Sequence, residues 1–272
     1  MHPQIRSALF VPATRPERFA KALAAGADTV IIDLEDAVQH DLKDQAREHL
    51  RDFASAHPQA SFWVRTNDAT TAWFGADLAL CAAHENIRGV ILPKAESALQ
   101  VQQVVQAGKT VLPIIESAKG VLALAEISAQ QGVERLSFGS LDLMLELGTT
   151  PDTAGAALLL NHIRCQILLH SATCGLAKPL DGVYPNFSDQ DGLSALARQV
   201  RDMGFGGMLC IHPAQIAAIH AAFAPSTADI AWAQRIMEMA DSTGSLAFQM
   251  DGQMVDAPVI ERARQILRAS AQ

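Results

Sequence analysis

The stretch TVLPIIESAKG, residues 110–120, is apolar at five of its first six positions and then turns polar at Glu116 and Ser117. An apolar run of this length, bounded by polar residues, is typical of a strand buried on both faces of a parallel sheet. Seven similar runs occur elsewhere, separated by alanine-rich amphipathic segments. They are SALFVPA from Ser7, TVIIDLEDA from Thr29, SFWVRTN from Ser61, RGVILPKAE from Arg88, RLSFGSLD from Arg135, AKPLDGVY from Ala177 and GMLCIHPAQ from Gly207.

Eight β-rich runs that alternate with helical segments predict eight β-α units. Eight parallel strands close a (β/α)8 TIM barrel, so we predict an α/β fold with this barrel as the catalytic domain, over residues 1–220. From 221 to 272 the pattern changes to a helix, a hairpin-like turn around MDGQM and a second helix. We interpret this segment as a C-terminal helical and hairpin extension.

The composition narrows the possible partners and the compartment. With 21 basic and 29 acidic residues the net charge is −8, and no basic stripe is present, which argues against nucleic acid or an anionic membrane surface as a partner. No apolar run approaches the roughly 20 residues of a membrane span. The four cysteines form no Cys-x-x-Cys pair and the N-terminus does not resemble a secretion signal, so we expect a reduced, cytoplasmic protein.

Two carboxylates follow neighbouring predicted strands. Active sites of TIM barrels lie at the carboxyl ends of the strands, and there Glu116 follows the fifth strand and Asp142 the sixth. Two carboxylates with open positions suit Mg²⁺, which prefers oxygen ligands and keeps sites for water or substrate. The alternative is that each residue only caps the helix that follows it.

Basic residues at two other strand ends have two interpretations each. Arg65 ends the third strand and is predicted to form an ion pair with Glu35 or Asp36, to face the substrate as a rigid donor, or to do both. Lys94 follows the fourth strand, where it is a candidate for a Schiff base or for an ion pair with its neighbour Glu96.

The loop after the first strand, PATRPERFAK, places Arg15, Arg18 and Lys21 around a predicted helix start. Backbone N–H groups and cations at such a place can hold phosphates. The alternative is a solvated helix face. His212, at the end of the eighth strand, is expected to be satisfied by the backbone, with a substrate contact as the second possibility.

The strand ends together resemble one family. The motifs ALFVPATRPERFAKALAAGADTVIIDLEDAV, KDQAR, VRTN, GVILPKAES, PIIES, FGSLDL, DGVYPNFSDQDGL, GFGGMLCIHPAQ and DGQMVDAPVIERA, in this order, are similar to the citrate lyase β-subunit-like proteins of the HpcH/HpaI aldolase superfamily. The resemblance implies a (β/α)8 barrel that makes or cleaves a carbon–carbon bond in a 3-hydroxyacyl-CoA. It also implies Mg²⁺ as the cofactor and a homo-oligomer, commonly a trimer.

The resemblance implies roles for particular residues. Glu116 and Asp142 match the metal ligands, and Arg65 matches the substrate-binding and catalytic arginine. Asp256, in MVDAP, matches an acid that such trimers supply to the neighbouring subunit's site, so the extension is expected to pack on a neighbour. The alternative for Asp256 is an N-cap of the helix that opens near Pro258.

Further predicted contacts lie at the same strand ends. The residues expected to bind substrate besides Arg65 are Glu35, Asp36, Gly139 and Ser140. The residues expected to contact CoA are Arg15, Lys21 and Tyr184. The chain departs from the family at PATRP, in place of a glycine-containing turn, and at Met208, in place of a common basic residue. The departure at Met208 weakens any prediction of a cationic contact from the eighth strand, including one to CoA.

These features predict a Mg²⁺-dependent lyase that cleaves citramalyl-CoA or malyl-CoA, reversibly, to acetyl-CoA and a 2-oxo acid, with synthase or thioesterase activity as a further possibility. Two alternatives stay open. One is a subunit of a citrate lyase complex that acts on an acyl group carried by an acyl carrier protein. The other is a metal-free Schiff-base aldolase that uses Lys94.

Overall fold

A computed structural model describes residues 4–243 and 247–270. Its main feature is a closed barrel of eight parallel strands, which pair in sequence order with the eighth closing on the first. The strands are β1 (Ser7–Pro12), β2 (Thr29–Asp33), β3 (Phe62–Arg65), β4 (Ile87–Leu92), β5 (Thr110–Ile115), β6 (Ser137–Phe138), β7 (Leu180–Asp181) and β8 (Gly207–Cys210). The prediction of a TIM barrel is therefore confirmed.

Helices follow the strands of the barrel. They are α1 (Phe19–Leu23), α2 (Lys43–Ala56), α3 (Phe74–Ala83), α4 (Ala98–Gln106), α5 (Ala118–Leu122), α6 (Leu124–Ser128), α7 (Ser140–Glu146), α8 (Ala154–Thr173), α9 (Gln190–Met203) and α10 (Ile216–Phe223), with short 3₁₀ turns at Pro16–Arg18, His40–Leu42 and Pro213–Gln215. Among the described residues, no helix is both long and apolar enough to cross a membrane.

The barrel interior is filled by large apolar side chains, which explains the nearly continuous hydrophobic runs of the strands. The inner cluster includes Ile31, Trp63, Ile91 and Leu112, all buried. Gly89 makes room for this packing, because a Cβ atom there would lie 2.4 Å from Cζ3 of Trp63. The core thus closes the barrel below its mouth and leaves the strand ends for function.

Strands β6 and β7 are shorter than the sequence runs suggested. Only Ser137 of β6 pairs with β7, opposite Leu180, and α7 already begins at Ser140. The polar second half of RLSFGSLD is therefore the first turn of a helix rather than strand. Residues of this segment consequently face the barrel mouth from a helix start.

Contacts between Cα atoms divide the chain into two compact units, Met1–Ala222 and Phe223–Gln272. The second unit contains α11 (Thr227–Thr243), the antiparallel hairpin β9 (Phe248–Met250) and β10 (Gln253–Val255), and α12 (Ala257–Ser270). Its own small core includes Ala233, Ile236, Val255, Ile260 and Ala263. This unit therefore has the helix, hairpin and helix order read from the sequence.

Candidate active site

A cavity of about 410 Å³ opens at the carboxyl ends of the strands. Its charged lining residues are Asp33, Asp36, Arg65, Glu116 and Asp142. Its apolar lining residues include Phe10, Ile114, Phe138, Val183, Leu209 and Ile211. The combination of a largely apolar wall with a few convergent charges is typical of a small-molecule site.

Arg65 is held by acidic side chains on one side of this cavity. Its Nε and Nη2 atoms donate to Oδ1 and Oδ2 of Asp33, each at 2.7 Å. Its Nη1 atom lies 2.8 Å from Oε2 of Glu35 and 3.4 Å from Oδ2 of Asp36. The guanidinium also lies over the ring of Phe10, 4.8 Å from its centre. Both predicted ion pairs form, but the main partner is Asp33.

Charges within this group shift one another's protonation. Burial opposes ionisation of Arg65, but attraction to Asp33 outweighs it and raises the pKa of the guanidinium. Burial also acts to raise the pKa of Asp33, yet Arg65 and two backbone N–H donors leave this pKa below its usual range. Burial, together with the nearby carboxylates, raises the pKa of Glu35 to about 8 despite Arg65. Arg65 therefore stays charged at neutral pH, and burial makes ionisation of Glu35 harder than that of an exposed glutamate.

Glu116 lies on another side of the cavity and is almost fully buried. Its Oε1 atom accepts a hydrogen bond from the backbone N–H of Lys94 at 2.8 Å. Burial raises the pKa of Glu116 to about 7, and the charge of Asp142 adds to this rise. Gly139 packs against it so closely that a Cβ atom there would lie 2.5 Å from Oε2 of Glu116.

Neither carboxylate caps a helix. Ser117, rather than Glu116, is the N-cap of α5, where its Oγ accepts from the backbone of Gly120 at 3.1 Å. Asp142 lies in the first turn of α7, whose N-cap is Gly139 and has no side-chain cap bond. The capping alternative is therefore wrong for Glu116, whereas Asp142 has the first-turn position in which an acidic side chain is favoured, without a cap hydrogen bond.

The two carboxylates fit a hard divalent cation. Glu116 and Asp142 face one cavity and offer only oxygen donors, the ligands that Mg²⁺ prefers. Within residues 4–243 and 247–270, no group of three or more His, Cys, Asp or Glu side chains is arranged to hold a metal. A cation held by this pair would keep most of its coordination positions for water or substrate.

Lys94 does not pair with Glu96, so that prediction is wrong. Its Nζ atom lies 3.9 Å from Oε1 of Glu35 and faces a separate cavity of about 360 Å³. Glu96 instead pairs with Lys119 at 3.1 Å and accepts from Ser117. Partial burial lowers the pKa of Lys94, but attraction to Glu35 and other acids raises it overall, so the amine is protonated at neutral pH.

The other predicted ligand residues divide into two groups. Gly139 and Ser140 line the main cavity beside the charged residues. Arg15 and Lys21 are exposed on the first βα loop and helix, and Arg15 lies 3.7 Å from Glu17. The Tyr184 hydroxyl donates to Asp189 at 2.6 Å.

The side chains of His212 and Asp256 both accept hydrogen bonds from backbone N–H groups. Nδ1 of His212 accepts from the N–H of Ala214 at 3.1 Å, and its ring stacks on Phe187. In the second unit, Oδ1 of Asp256 accepts from the N–H of Val259 at 3.4 Å at the start of α12. The capping role of Asp256 is thus present, and its role in a neighbour's site stays a prediction.

Asp33 is the functional candidate that the sequence reasoning missed. It lies at the end of the second predicted strand together with Glu35 and Asp36, but only those two were given a role there. The feature that could have identified it is strand register, because Asp33 on β2 is directly opposite Arg65 on β3. Neighbouring parallel strands of similar length bring their last residues together.

Comparisons with known proteins agree with this geometry. The HpcH/HpaI aldolase/citrate lyase family profile matches residues 6–213. A citrate lyase subunit beta-like protein of Mycobacterium tuberculosis is 40% identical over 97% of this chain and 95% of its own length. A (3S)-malyl-CoA thioesterase of Cereibacter sphaeroides is 36% identical over 98% and 94%.

A solved structure covers the whole chain. It is protein CitE from Mycobacterium tuberculosis in complex with magnesium, acetoacetate and coenzyme A. The two chains share 38% sequence identity, with a TM-score of 0.88 and 100% coverage of both. At this identity and overlap the likeness extends beyond the barrel fold that unrelated enzymes share.

Proposed function

Because this chain belongs to the HpcH/HpaI aldolase/citrate lyase family, we propose that it is a Mg²⁺-dependent carbon–carbon lyase. The proposed substrate is a 3-hydroxyacyl-CoA of the malyl-CoA or citramalyl-CoA type, and the products are acetyl-CoA and a 2-oxo acid. The observation that carries the proposal is a single cavity in which a partly buried, charged arginine, Arg65, accompanies two carboxylates, Glu116 and Asp142.

The carboxylates of Glu116 and Asp142 would hold the cation. When bound, Mg²⁺ favours loss of a proton from a coordinated hydroxyl group. Gly139 leaves room for Glu116, since any side chain at that position would clash with the carboxylate. Burial of Glu116 also keeps bulk water from competing with the substrate there.

Arg65 would stabilise the negative charge that develops during cleavage. In the proposed reaction the hydroxyl loses its proton, its oxygen forms the carbonyl of the 2-oxo acid, and the electron pair of the broken carbon–carbon bond passes to acetyl-CoA as an enolate. The guanidinium is charged and fixed before reaction, so its N–H groups can favour the enolate oxygen without reorganising. We propose that Asp256 of a neighbouring copy takes the proton from the hydroxyl and then donates it to the enolate carbon, which becomes the methyl group of acetyl-CoA.

The central experiment assays malyl-, citramalyl- and citryl-CoA with Mg²⁺ and with EDTA, in the wild type and in Glu116→Gln. We expect cleavage that requires Mg²⁺ and that falls by about 10³-fold or more in the variant, because several kcal/mol of charge stabilisation are lost. The matched control is Glu134→Gln, a buried glutamate paired with Arg88 and Arg135 outside the cavity. Full Mg²⁺-dependent turnover in Glu116→Gln would remove Glu116 from the metal site.

The same assay separates the alternatives. Free CoA with an intact hydroxy acid would indicate thioester hydrolysis, the activity named for the Cereibacter relative. Turnover that resists EDTA, with borohydride trapping of pyruvate on Lys94, would favour the Schiff-base mechanism, against which the protonated amine argues. Activity only on an acyl carrier protein would favour a citrate lyase subunit. A trimer, with the second unit packed on a neighbour, is part of the proposal and is tested by light scattering.

A further inference from the structure

We propose that Asp33 is a positioning residue: it holds the Arg65 guanidinium so that the N–H groups it leaves free are directed at the substrate. The inference rests on the proposed function, because it assigns Arg65 to the developing oxyanion. Asp33 would act only through Arg65 and would not itself touch the reacting atoms.

The two hydrogen bonds between Asp33 and Arg65, here called the clamp, fix the guanidinium at two points. Both Asp33–Arg65 hydrogen bonds measure 2.7 Å and involve different oxygens and different nitrogens, an arrangement that sets the plane of the guanidinium as well as its distance. The backbones are fixed too, because the two residues are register partners on β2 and β3. An arginine attached to a strand end by a long side chain would otherwise have several rotamers.

Asp33 is itself held in one orientation. Its Oδ1 also accepts from the N–H of Glu35 at 2.9 Å, and its Oδ2 accepts from the N–H of Ala37 at 3.3 Å. Each carboxylate oxygen therefore has one backbone donor and one donor from Arg65. Rotation of the Asp33 side chain would break all four hydrogen bonds together, so the carboxylate is a rigid reference for the guanidinium.

The other acids near Arg65 cannot replace this clamp. Asp36 contacts Nη1 at 3.4 Å only, and its side chain is 63% exposed. Oε2 of Glu35 lies 2.8 Å from Nη1 but lacks the alignment of a hydrogen bond. Of the five N–H groups of a guanidinium, Asp33 takes two and Asp36 takes one. Arg65 lines the cavity, so some of the remaining groups are available to a ligand.

The test compares Asp33→Asn with Asp181→Asn. Asp181 is a matched control, because it is equally buried and binds Arg164 through both oxygens, at 2.9 and 3.1 Å, yet does not line the cavity. For Asp33→Asn we expect kcat to fall by about 10²-fold, the effect of a misplaced catalytic group, with KM little changed. For Asp181→Asn we expect a lower melting temperature with kcat of the folded enzyme retained. Equal kcat values in the two variants would overturn the proposal.

A double-mutant cycle tests whether Asp33 acts through Arg65. We expect Asp33→Asn to cost about 10²-fold in the wild type and almost nothing further in Arg65→Gln, because the group to be positioned is already absent. Losses that multiply in the double variant would mean that Asp33 acts independently. The cycle stays informative if Asp33→Asn alone folds poorly. In the double variant Arg65→Gln removes the positive charge that Asp33→Asn would leave without its partner.

The outcomes separate the two proposals. If the wild type cleaves no thioester of the panel, the proposed function fails and the role of Asp33 fails with it. If the wild type and Asp33→Asn cleave equally well, only the role of Asp33 fails. As a second variant, Asp33→Glu keeps the charge but moves the carboxylate by one methylene; kcat as low as in Asp33→Asn would support positioning, and full recovery would show that charge alone suffices.

Discussion

Two arginine–aspartate pairs of this barrel, each with a buried aspartate, have nearly the same local chemistry and different surroundings. Asp33 binds Arg65, and Asp181 binds Arg164, in each case through both carboxylate oxygens and the Nε and Nη2 atoms. Each guanidinium lies over the ring of a cavity-lining phenylalanine, 4.8 or 4.9 Å from its centre. Only the first pair lines the cavity.

The different surroundings shift the pKa values of the two aspartates in opposite directions. Burial acts to raise the pKa of both, but the pKa of Asp33 ends below its usual range and that of Asp181 above it. Asp33 accepts from two backbone N–H groups, those of Glu35 and Ala37, in addition to Arg65, whereas Asp181 has one backbone donor, Gly182. The comparison teaches that an ion pair becomes part of a site through its second set of partners and its access to a cavity, not through the pair itself.

The largest expected difference is between Arg65→Met and Arg164→Met. Arg65→Met should lower kcat by about 10²- to 10³-fold, as loss of an oxyanion donor does. Arg164→Met should mainly lower the free energy of unfolding, by about 3–5 kcal/mol, because it leaves Asp181 buried without its partner. Urea unfolding and steady-state kinetics on both variants measure the two effects. A similar loss of kcat in both would abolish the distinction.

A second difference is expected between Gly139→Ala and Gly182→Ala. A Cβ at 139 would lie 2.5 Å from Oε2 of Glu116, whereas one at 182 would lie 2.7 Å from the backbone oxygen of Phe138. We expect the first change to weaken Mg²⁺ binding and lower kcat by about 10²-fold through displacement of the carboxylate. The second should reduce stability and leave the Mg²⁺ dissociation constant unchanged. Calorimetric titration with Mg²⁺ checks both, and unaltered Mg²⁺ binding in Gly139→Ala would contradict the packing argument.

The smallest expected effect is on the pH dependence of stability. A carboxyl group with a lowered folded-state pKa, such as Asp33, stabilises the fold above its unfolded pKa of about 3.9, and this contribution is lost as the pH falls through the folded value. Asp181, with a raised pKa, contributes below about 3.9 and loses its contribution as the pH rises through the folded value.

Urea unfolding between about pH 3 and 6 tests this contrast. The stability advantage of the wild type over Asp33→Asn should grow as the pH rises in this range. Its advantage over Asp181→Asn should shrink over the same range. Parallel pH curves for the two variants would show that their surroundings do not matter.

Sequence periodicity predicted the barrel and the position of Glu116 and Asp142 at one cavity, because the strand ends of a closed parallel sheet meet at one mouth. It failed for contacts set by side-chain direction. Lys94 and Glu96 are close in sequence, but Lys94 has a left-handed backbone, with φ of 45°, and the two side chains reach different partners. Asp33 was missed because its importance depends on register with Arg65, which spacing along one chain does not reveal.

The lengths of β6 and β7 could not be predicted from the sequence either. Apolar residues around Phe138 and Leu180 predict strands, but only two residues of each are strand in the structure. The ends of these strands depend on where the loops and α7 leave the sheet. Because α7 already begins at Ser140, Asp142 lies in the first turn of a helix rather than on the strand.

The hydrogen bond from the backbone of Lys94 to Glu116 has an evolutionary consequence. A main-chain donor is encoded by every residue except proline, so the anchoring of Glu116 does not depend on which side chain occupies position 94. Its positive φ favours glycine and asparagine as replacements. Replacement of Lys94 by one of these residues would thus alter the smaller neighbouring cavity, which Lys94 lines, while the main-chain hydrogen bond to Glu116 is kept.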